Sequence, residues 1–310
     1  MPLTPEQLSE IEAQRATPRP TLRAVSEGME AHLYRAHPVL DHGFIRVIDY
    51  MGDDSAIVQA ARVSYGQGTK QVTEDRGLIR YLLRHRHTTP FEMVEFKFHV
   101  CMPIFIARQW IRHRTANVNE YSGRYSIIPD RFYKPAKEEV RKQSRSNRQG
   151  GEETFVGSAA NEQDMRTADE FVRFLDTVES SYHEYLRLTD QGVSRELARI
   201  GLPVNMYTEW YWKCDLHNTL HFLSLRLDSH AQSEIRAYAD AMLRLIEPIV
   251  PMTVEAWRDY VFEGTRLSRL EINALRDLAA GGTGTLPSDN KREAAEWEAK
   301  RAMLGFGVKP

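Results

Sequence analysis

The feature that most constrains this chain is an alternation. Val94, Phe96, Phe98 and Val100 fall on every second residue, with Glu95, Lys97 and His99 between them. Successive side chains of a strand point to opposite faces, so this stretch predicts a strand with one buried and one polar face. Thr208, Trp210 and Trp212 alternate with Glu209, Tyr211 and Lys213 and predict a second strand. Phe44-Ile-Arg-Val-Ile-Asp-Tyr50 followed by Ala56-Ile-Val-Gln-Ala-Ala-Arg62 reads as a further strand and then a helix, ending near Tyr65. Elsewhere the spacing is helical.

A helix starts at Thr73, Glu74 and Asp75, carries Leu78, Leu82 and Leu83, and stops before Thr88-Thr89-Pro90, where the residue preceding proline disfavours helical geometry. Pro103 suits the first turn of a helix that runs on through Ile104, Ala107, Trp110 and Ile111. Phe171, Leu175, Val178, Tyr182 and Tyr185 mark a long amphipathic helix ending at Gly192. Two more cover about 215–228 and the stretch from Ala231 to Pro248 or Pro251. Helices outnumber strands and are interspersed with them, the pattern of one α/β domain. Residues 1–40 read as an N-terminal extension, 41–265 as the domain and 266–310 as a charged, Gly-rich tail. Residues 134–166 are polar, nearly free of large apolar side chains, and read as a mobile insertion within the domain.

Forty-one basic and 43 acidic residues leave a net charge of −2, so no global field recruits nucleic acid or an anionic membrane. Any anion site must come from local clustering. Two cysteines exclude a disulfide framework. The N-terminus lacks the pattern of a signal peptide, and no apolar run approaches the roughly 18–20 residues of a membrane span. A cytoplasmic protein is expected.

The local cluster is Arg108-Gln-Trp-Ile-Arg112-His113-Arg114. On a continuous helix Arg108 and Arg112 lie one turn apart, as do Gln109 and His113. Guanidinium forks suit phosphate or carboxylate oxygens. Asn117, Asn119, Glu120, Tyr121, Ser122, Gly123 and Arg124 follow, small and donor-rich, with Gly123 placed to let backbone amides approach a phosphate. A lone Arg-His-Arg would read as a basic helix end offsetting the macrodipole. Joined to this second run, it reads as an anion site.

Arg112-His113-Arg114, seven residues and then Ser122 resembles the R-H-R-x7-S signature of flavin-dependent thymidylate synthases. The resemblance extends to His87-Thr-Thr89-Pro90-Phe91-Glu92, Pro103-Ile-Phe-x-Ala-Arg-Gln-Trp110, Ser122-Gly-Arg-Tyr-Ser126, Ala198-Arg199-x-x-Leu-Pro203, Phe222-Leu-x-Leu-Arg226 and His230-Ala-Gln-x-Glu-Ile235. It covers about residues 40–262. It implies a single large domain with a central, mostly antiparallel sheet flanked by helices. The implied reaction is reductive methylation of dUMP to dTMP without an enzyme nucleophile. Methylenetetrahydrofolate donates the carbon, and NADPH reduces a bound FAD. The resemblance places FAD against Thr89, Arg112, His113, Arg114, Glu120, Asp215, His217 and His221. It places dUMP against Gln109, Arg112, Glu120, Tyr121, Ser122, Gly123, Arg124, Arg199 and Arg226, with Arg226 catalytic because its charge favours ionisation of the uracil ring. It further implies a homotetramer whose active sites combine residues of neighbouring chains.

Asp215, His217 and His221 depart from the asparagine and arginine found in many members at this segment. His217 and His221 sit one turn apart beside Asp215, which also suits a metal, although the glutamate of His-Glu-x-x-His is missing. A metal-dependent phosphohydrolase using His85, His87, Asp215, His217 and His221 is therefore the rival reading, and a nucleic-acid-binding module on the Arg112–Arg124 cluster is a third. No metal is expected. Arg226 lies nine residues beyond His217, about half a turn round an ideal helix, so one unbroken helix would serve two pockets or one at a subunit boundary. Cys101 and Cys214 have no activating base in sequence and read as buried. Ser122 lacks a histidine–carboxylate pair and reads as a phosphate ligand rather than a nucleophile. Gly282-Thr-Gly284 is no dinucleotide fingerprint.

Overall fold

A computed structural model describes residues 4–18, 20–63, 72–144, 151–158 and 160–307. The chain divides into two compact units, residues 1–255 and 256–310. The first begins with helices α1 (Pro5–Arg15) and α2 (Glu27–Glu30), strands β1 (His37–Val39) and β2 (Gly43–Met51), and helices α3 (Asp54–Val63) and α4 (Val72–Arg84). Strand β3 (Glu95–Pro103), helix α5 (Ile104–Trp110) and strand β4 (Asn117–Glu120) follow, then a hairpin of β5 (Arg141–Gln143) and β6 (Gly151–Thr154). The remainder is α6 (Glu162–Asp190), α7 (Arg195–Ala198), β7 (Tyr207–Asp215), α8 (Leu216–Arg226) and α9 (Ser233–Ile246), and α10 (Pro251–Trp257) spans the boundary. The second unit holds α11 (Arg269–Ala279) and α12 (Lys291–Met303), closed round buried Trp297, whose indole N–H donates to the Gly284 carbonyl at 2.8 Å.

Five strands form one sheet in the order β1-β2-β3-β7-β4, and every neighbouring pair is antiparallel. The α/β architecture with a central antiparallel sheet is thus observed. Its two faces differ as the alternation requires. Phe96, Phe98 and Val100 of β3 share a face with Trp210 and Trp212 of β7 and are fully or almost fully buried. Helices α5, α8 and α9 cover that face. Trp110 of α5 stacks on Phe222 of α8 at 4.6 Å and meets Trp210, Trp212 and Tyr238 edge-on at 5.7–6.1 Å. Each such aromatic pair adds about 0.5–1.5 kcal/mol beyond its burial.

The opposite face is mixed. At one end Phe44, Cys101 and Tyr207 pack with Tyr133 and with Ile11 of α1. The N-terminal 40 residues therefore supply core side chains, and β1 within them pairs with β2. Beside that cluster the supposedly polar face buries His99, which is only 9% exposed. Its Nδ1 accepts from Arg46 Nε at 2.9 Å, which leaves the proton on Nε2, 2.9 Å from Glu209 Oε2. Arg131 donates to Glu209 Oε1 at 2.6 Å. A one-face-polar alternation does not distinguish a solvated histidine from one enclosed in such a network.

Three expectations change. Helix α5 ends at Trp110, with Ile111 as its cap, so Arg112–Arg114 occupy a turn rather than a helix face. Residues 117–120, read as turn-forming, are an edge strand paired with β7. The 134–166 stretch is not structureless: it carries the β5–β6 hairpin and the first turn of α6, tied by Lys142 to Asp164 at 2.8 Å, while residues 145–150 lie outside the described residues. The side chains of Thr73 and Glu74 and the expected helix end near Tyr65 also lie outside them.

Burial alone would push the Glu209 carboxyl up, but the His99 and Arg131 hydrogen bonds and charges outweigh it and hold it down at about 2. A depressed carboxyl stabilises the fold above its unfolded value and loses that contribution as pH falls towards the folded one. Glu209→Gln should therefore flatten the acid-side decline in denaturant midpoint between about pH 4.5 and pH 2. A variant with the wild-type acid profile would show that Glu209 does not carry it.

Candidate functional site

The turn after α5 sets the centre of the site. Wedged Trp110 fixes the chain there, and His113, three residues on, is drawn into the core while Arg112 and Arg114 on either side stay exposed. The His113 ring lies 5.6 Å from Phe222, 5.7 Å from His221 and 6.1 Å from Trp212, and its Nε2 is 3.1 Å from the Thr115 hydroxyl. Burial first, then the nearby His221 and Arg226, push its pKa down to about 4. His113 is a neutral ring at physiological pH.

Helix α8 is unbroken from Leu216 to Arg226, as the two-pocket geometry requires. Asp215 is its N-cap: Oδ1 accepts from the Asn218 amide at 2.9 Å and Oδ2 from the Asn218 side chain at 2.8 Å. Leu216 N–H donates to the Val94 carbonyl at 2.7 Å, bringing the start of α8 beside the 3₁₀ turn Thr89–Met93. Thr89, Asp215 and half-buried His217 thus lie at one end of α8, and exposed His221 sits midway next to His113. At the other end, Arg226 Nη2 donates to the Gln109 carbonyl at 3.1 Å, while its Nε is buried without a partner. Desolvation lowers the Arg226 pKa. Among the described residues no three His, Cys, Asp or Glu side chains converge as a metal site.

The second run lies elsewhere on the sheet. Glu120 ends β4 opposite Trp210 and accepts from the Thr208 hydroxyl at 2.8 Å. Tyr121 donates its hydroxyl to the Ile127 carbonyl at 2.8 Å. The Ser122 hydroxyl accepts from the Arg124 amide at 3.3 Å. Gly123 is buried, and a Cβ there would come within 2.7 Å of Ile128 and 3.4 Å of the Arg199 stem. Close packing against Ile128 thus favours glycine at 123, and the Arg199 stem lies beside the Ser122–Arg124 loop.

Charge pairing sets these arginines apart from eight others. Arg23, Arg62, Arg76, Arg80, Arg131, Arg187, Arg244 and Arg301 all hold carboxylates. Among the described residues Arg112, Arg114, Arg124, Arg199 and Arg226 hold none, and Arg124 only overlies the Tyr125 ring at 5.3 Å. Five guanidiniums left without counter-charges in a nearly neutral chain form a donor set for anionic ligands, and a phosphate or pyrophosphate fits it. Both cysteines are buried with their thiol pKa values raised, Cys214 up to about 12, so neither offers a thiolate.

A cavity of about 1160 Å³ reaches one of these arginines, Arg226. Gln109 and Arg226 line it together with Gln232, whose side chain accepts from that of Gln109. So do Arg141, Lys142 and Phe155 of the β5–β6 hairpin. The hairpin residues were missed in the sequence, since strands of three and four residues leave too short an alternation to read.

Comparison with known proteins places the chain. Residues 46–252 match the sequence model of a family described as "Thymidylate synthase complementing protein". A flavin-dependent thymidylate synthase of Ruegeria pomeroyi is 56% identical over 306 residues, covering 98% of this chain and all of that protein. One from Dictyostelium discoideum is 59% identical over 275 residues, 86% of each chain. Among solved structures, a UMP/dUMP methylase from Streptomyces cacaoi bound with 5-Br dUMP superposes with a TM-score of 0.60 at 33% identity, covering 71% of this chain and 95% of that one.

The buried turn makes one spectroscopic prediction. The ring nitrogens of His113 should keep the NMR shifts of a neutral imidazole from pH 8 down to about pH 5, well below the usual histidine midpoint near 6.5. A midpoint at that usual value would mean that the ring is solvated in solution.

Proposed function

Because the chain belongs to the flavin-dependent thymidylate synthases, we propose that its five unpaired arginines divide the binding of flavin and dUMP between them. The protein is a flavin-dependent enzyme that methylates dUMP. The observation carrying the residue assignment is that the arginines of the two family motifs hold no carboxylate, whereas Arg23, Arg187 and Arg244, among others, do.

In this reading FAD lies along α8, against Thr89, Asp215, His217, His221 and the Arg112-His113-Arg114 turn, with Glu120 contributing from β4. The unpaired Arg112 and Arg114 fit its pyrophosphate, and the neutral His113 ring fits a flat aromatic neighbour. When bound and reduced, a flavin supplies the hydride chemistry that the buried cysteines and Ser122 do not. NADPH as reductant and methylenetetrahydrofolate as carbon donor complete the reaction.

The side chains bind and polarise dUMP. Ser122, Gly123, Arg124 and Arg199 hold its phosphate, with Glu120 and Tyr121 flanking them. Gln109 and Arg226 hold the base. Arg226 keeps its guanidinium charged in a desolvated position, where a fixed positive charge stabilises negative charge developing on the uracil ring more than it would in water. Asp215 holds the start of α8, and so the position of His217, through its cap bonds.

The same geometry supports sites shared between chains of a homotetramer. Thr89 and Asp215 lie at one end of β7, whereas the Glu120–Arg124 run starts beside Thr208 and Glu209 at the other, roughly 23 Å away at about 3.3 Å per residue. Reacting atoms must meet within about 3–3.5 Å. A neighbouring chain that supplies one group closes the gap.

Purified protein should be yellow with bound flavin. Arg226→Ala should lower tritium release from labelled dUMP by about 10²–10³-fold, the usual cost of removing one preorganised charge donor; normal turnover would remove Arg226 from the reaction. Arg124→Lys should weaken dUMP binding, because a point charge cannot replace a bidentate fork, and unchanged affinity would place the phosphate elsewhere. Mixed oligomers of Arg226→Ala and Arg124→Ala chains should regain activity in about a quarter of their sites if the two residues come from different chains. No recovery on mixing would confine both to one chain.

A further inference from the structure

We propose that the β5–β6 hairpin is a substrate-recognition element, in which Arg141 binds the anionic tail of the substrate that arrives beside the nucleotide. The inference rests on the reading that Gln109 and Arg226 hold the dUMP base. Three observations carry it.

The hairpin walls the same cavity that Gln109 and Arg226 line. At about 1160 Å³ that cavity exceeds the roughly 300–1,000 Å³ of a pocket for one small ligand, so it has room for a second substrate next to the first.

Its lining is cationic in excess. Arg141, Lys142, Arg226 and Arg236 face it against the carboxylates of Glu139 and Glu234. Both carboxylates are already engaged, Glu139 by the Ala136 amide at 3.0 Å and Glu234 by the Tyr133 hydroxyl at 3.2 Å. Lys142 is neutralised by Asp164, and Arg236 donates to the Ala231 carbonyl at 3.0 Å. The Arg141 side chain makes no hydrogen bond or ion pair among the described residues, so its guanidinium fork is a donor in the hairpin wall left for a ligand.

Arg141 is also held in place. Its aliphatic stem lies across Gly151 of the facing strand, where a Cβ would collide with the Arg141 Cβ and come within 3.0 Å of its Cδ. Glycine at 151 therefore leaves the room in which the stem lies. Lys142, next along the strand, lies 5.6 Å from the Phe155 ring and braces the hairpin against α6 through Asp164.

The ligand chemistry is a carboxylate or phosphate tail on an elongated molecule whose other end reacts at the nucleotide or at the flavin beside it. Two substrates of the proposed reaction carry one: the folate, with its glutamate carboxylates, and the nicotinamide nucleotide, with its 2′-phosphate. Direct binding separates them. Titrations of tetrahydrofolate with one and with three glutamates, of NADPH and of NADH are made on the flavin-loaded protein with dUMP present, followed by protein fluorescence, and dUMP affinity is measured separately.

Arg141→Glu should weaken one tail-bearing ligand at least tenfold while leaving dUMP affinity within twofold of wild type. Loss of the advantage of three glutamates over one assigns the folate tail, and loss of the preference for NADPH over NADH assigns the phosphate. Gly151→Ala, which displaces the stem and keeps every charge, should move the same ligand in the same direction, and Arg141→Lys should restore part of the affinity. Unchanged affinity for all four ligands in Arg141→Glu overturns the proposal, as does an equal loss for dUMP. Failure of the underlying reading shows separately, as an Arg226→Ala variant that binds dUMP normally.

Discussion

The contact on which the site depends is the stack of Trp110 on Phe222, 4.6 Å apart, above the two tryptophans of β7. It joins the end of α5 to the middle of α8, and both motif clusters hang from those helices. Because Trp110 is fully buried, the chain beyond it must turn out of the helix, and that turn is Arg112–Arg114. Because Phe222 is fixed, His221 is presented to His113 on one side, and one turn further on Arg226 reaches the Gln109 carbonyl. Packing density in a core leaves little play, so a shift in this stack would move the Arg112–Arg114 turn and Arg226 together.

Burial also sorts the charges. A histidine in the middle of a basic turn could add a titrating charge, but His113 is held neutral by desolvation first and then by its neighbours His221 and Arg226. A guanidinium carries its charge throughout the physiological range. The positive charge offered to a phosphate is therefore constant across that range, and its placement is set by backbone turns rather than by salt bridges. Leaving arginines unpaired costs little at an exposed position, where a surface ion pair is worth only about 0–1 kcal/mol. At the partly buried Arg226 the cost is larger, visible as an unpartnered Nε and a lowered pKa. Such a cost is sustained where a ligand completes the bonding.

Much of this was legible in the sequence. The alternations at 94–100 and 208–212 mark the two central strands because each buries one complete face, and the long helix ending at Gly192 carries its stop signal in the residue itself. Residues 117–120 were illegible as a strand because an edge strand of four residues with three exposed side chains has no apolar period to show. His99 misled for the opposite reason: it occupies a polar register position, yet Arg46 and Glu209 supply partners from strands distant in sequence. The motif arginines could be named from spacing and resemblance, but their lack of carboxylate partners is a property of tertiary arrangement and shows only in the fold.

The hairpin shows most clearly what composition conceals. A polar stretch with few large apolar residues looks like a surface insertion, and its strands are too short to bury a face of their own. Its order comes instead from outside: Lys142 to Asp164 at the start of α6, Phe155 N–H to the Val140 carbonyl, and Arg141 lying across Gly151. Polar segments are ordered when partners elsewhere satisfy their backbone and charges, and such partners cannot be read from the segment itself. Here they place a basic strand along the wall of the cavity that also holds Gln109 and Arg226. An element with no apolar face of its own is thereby brought beside Gln109 and Arg226, as the proposed role of Arg141 requires.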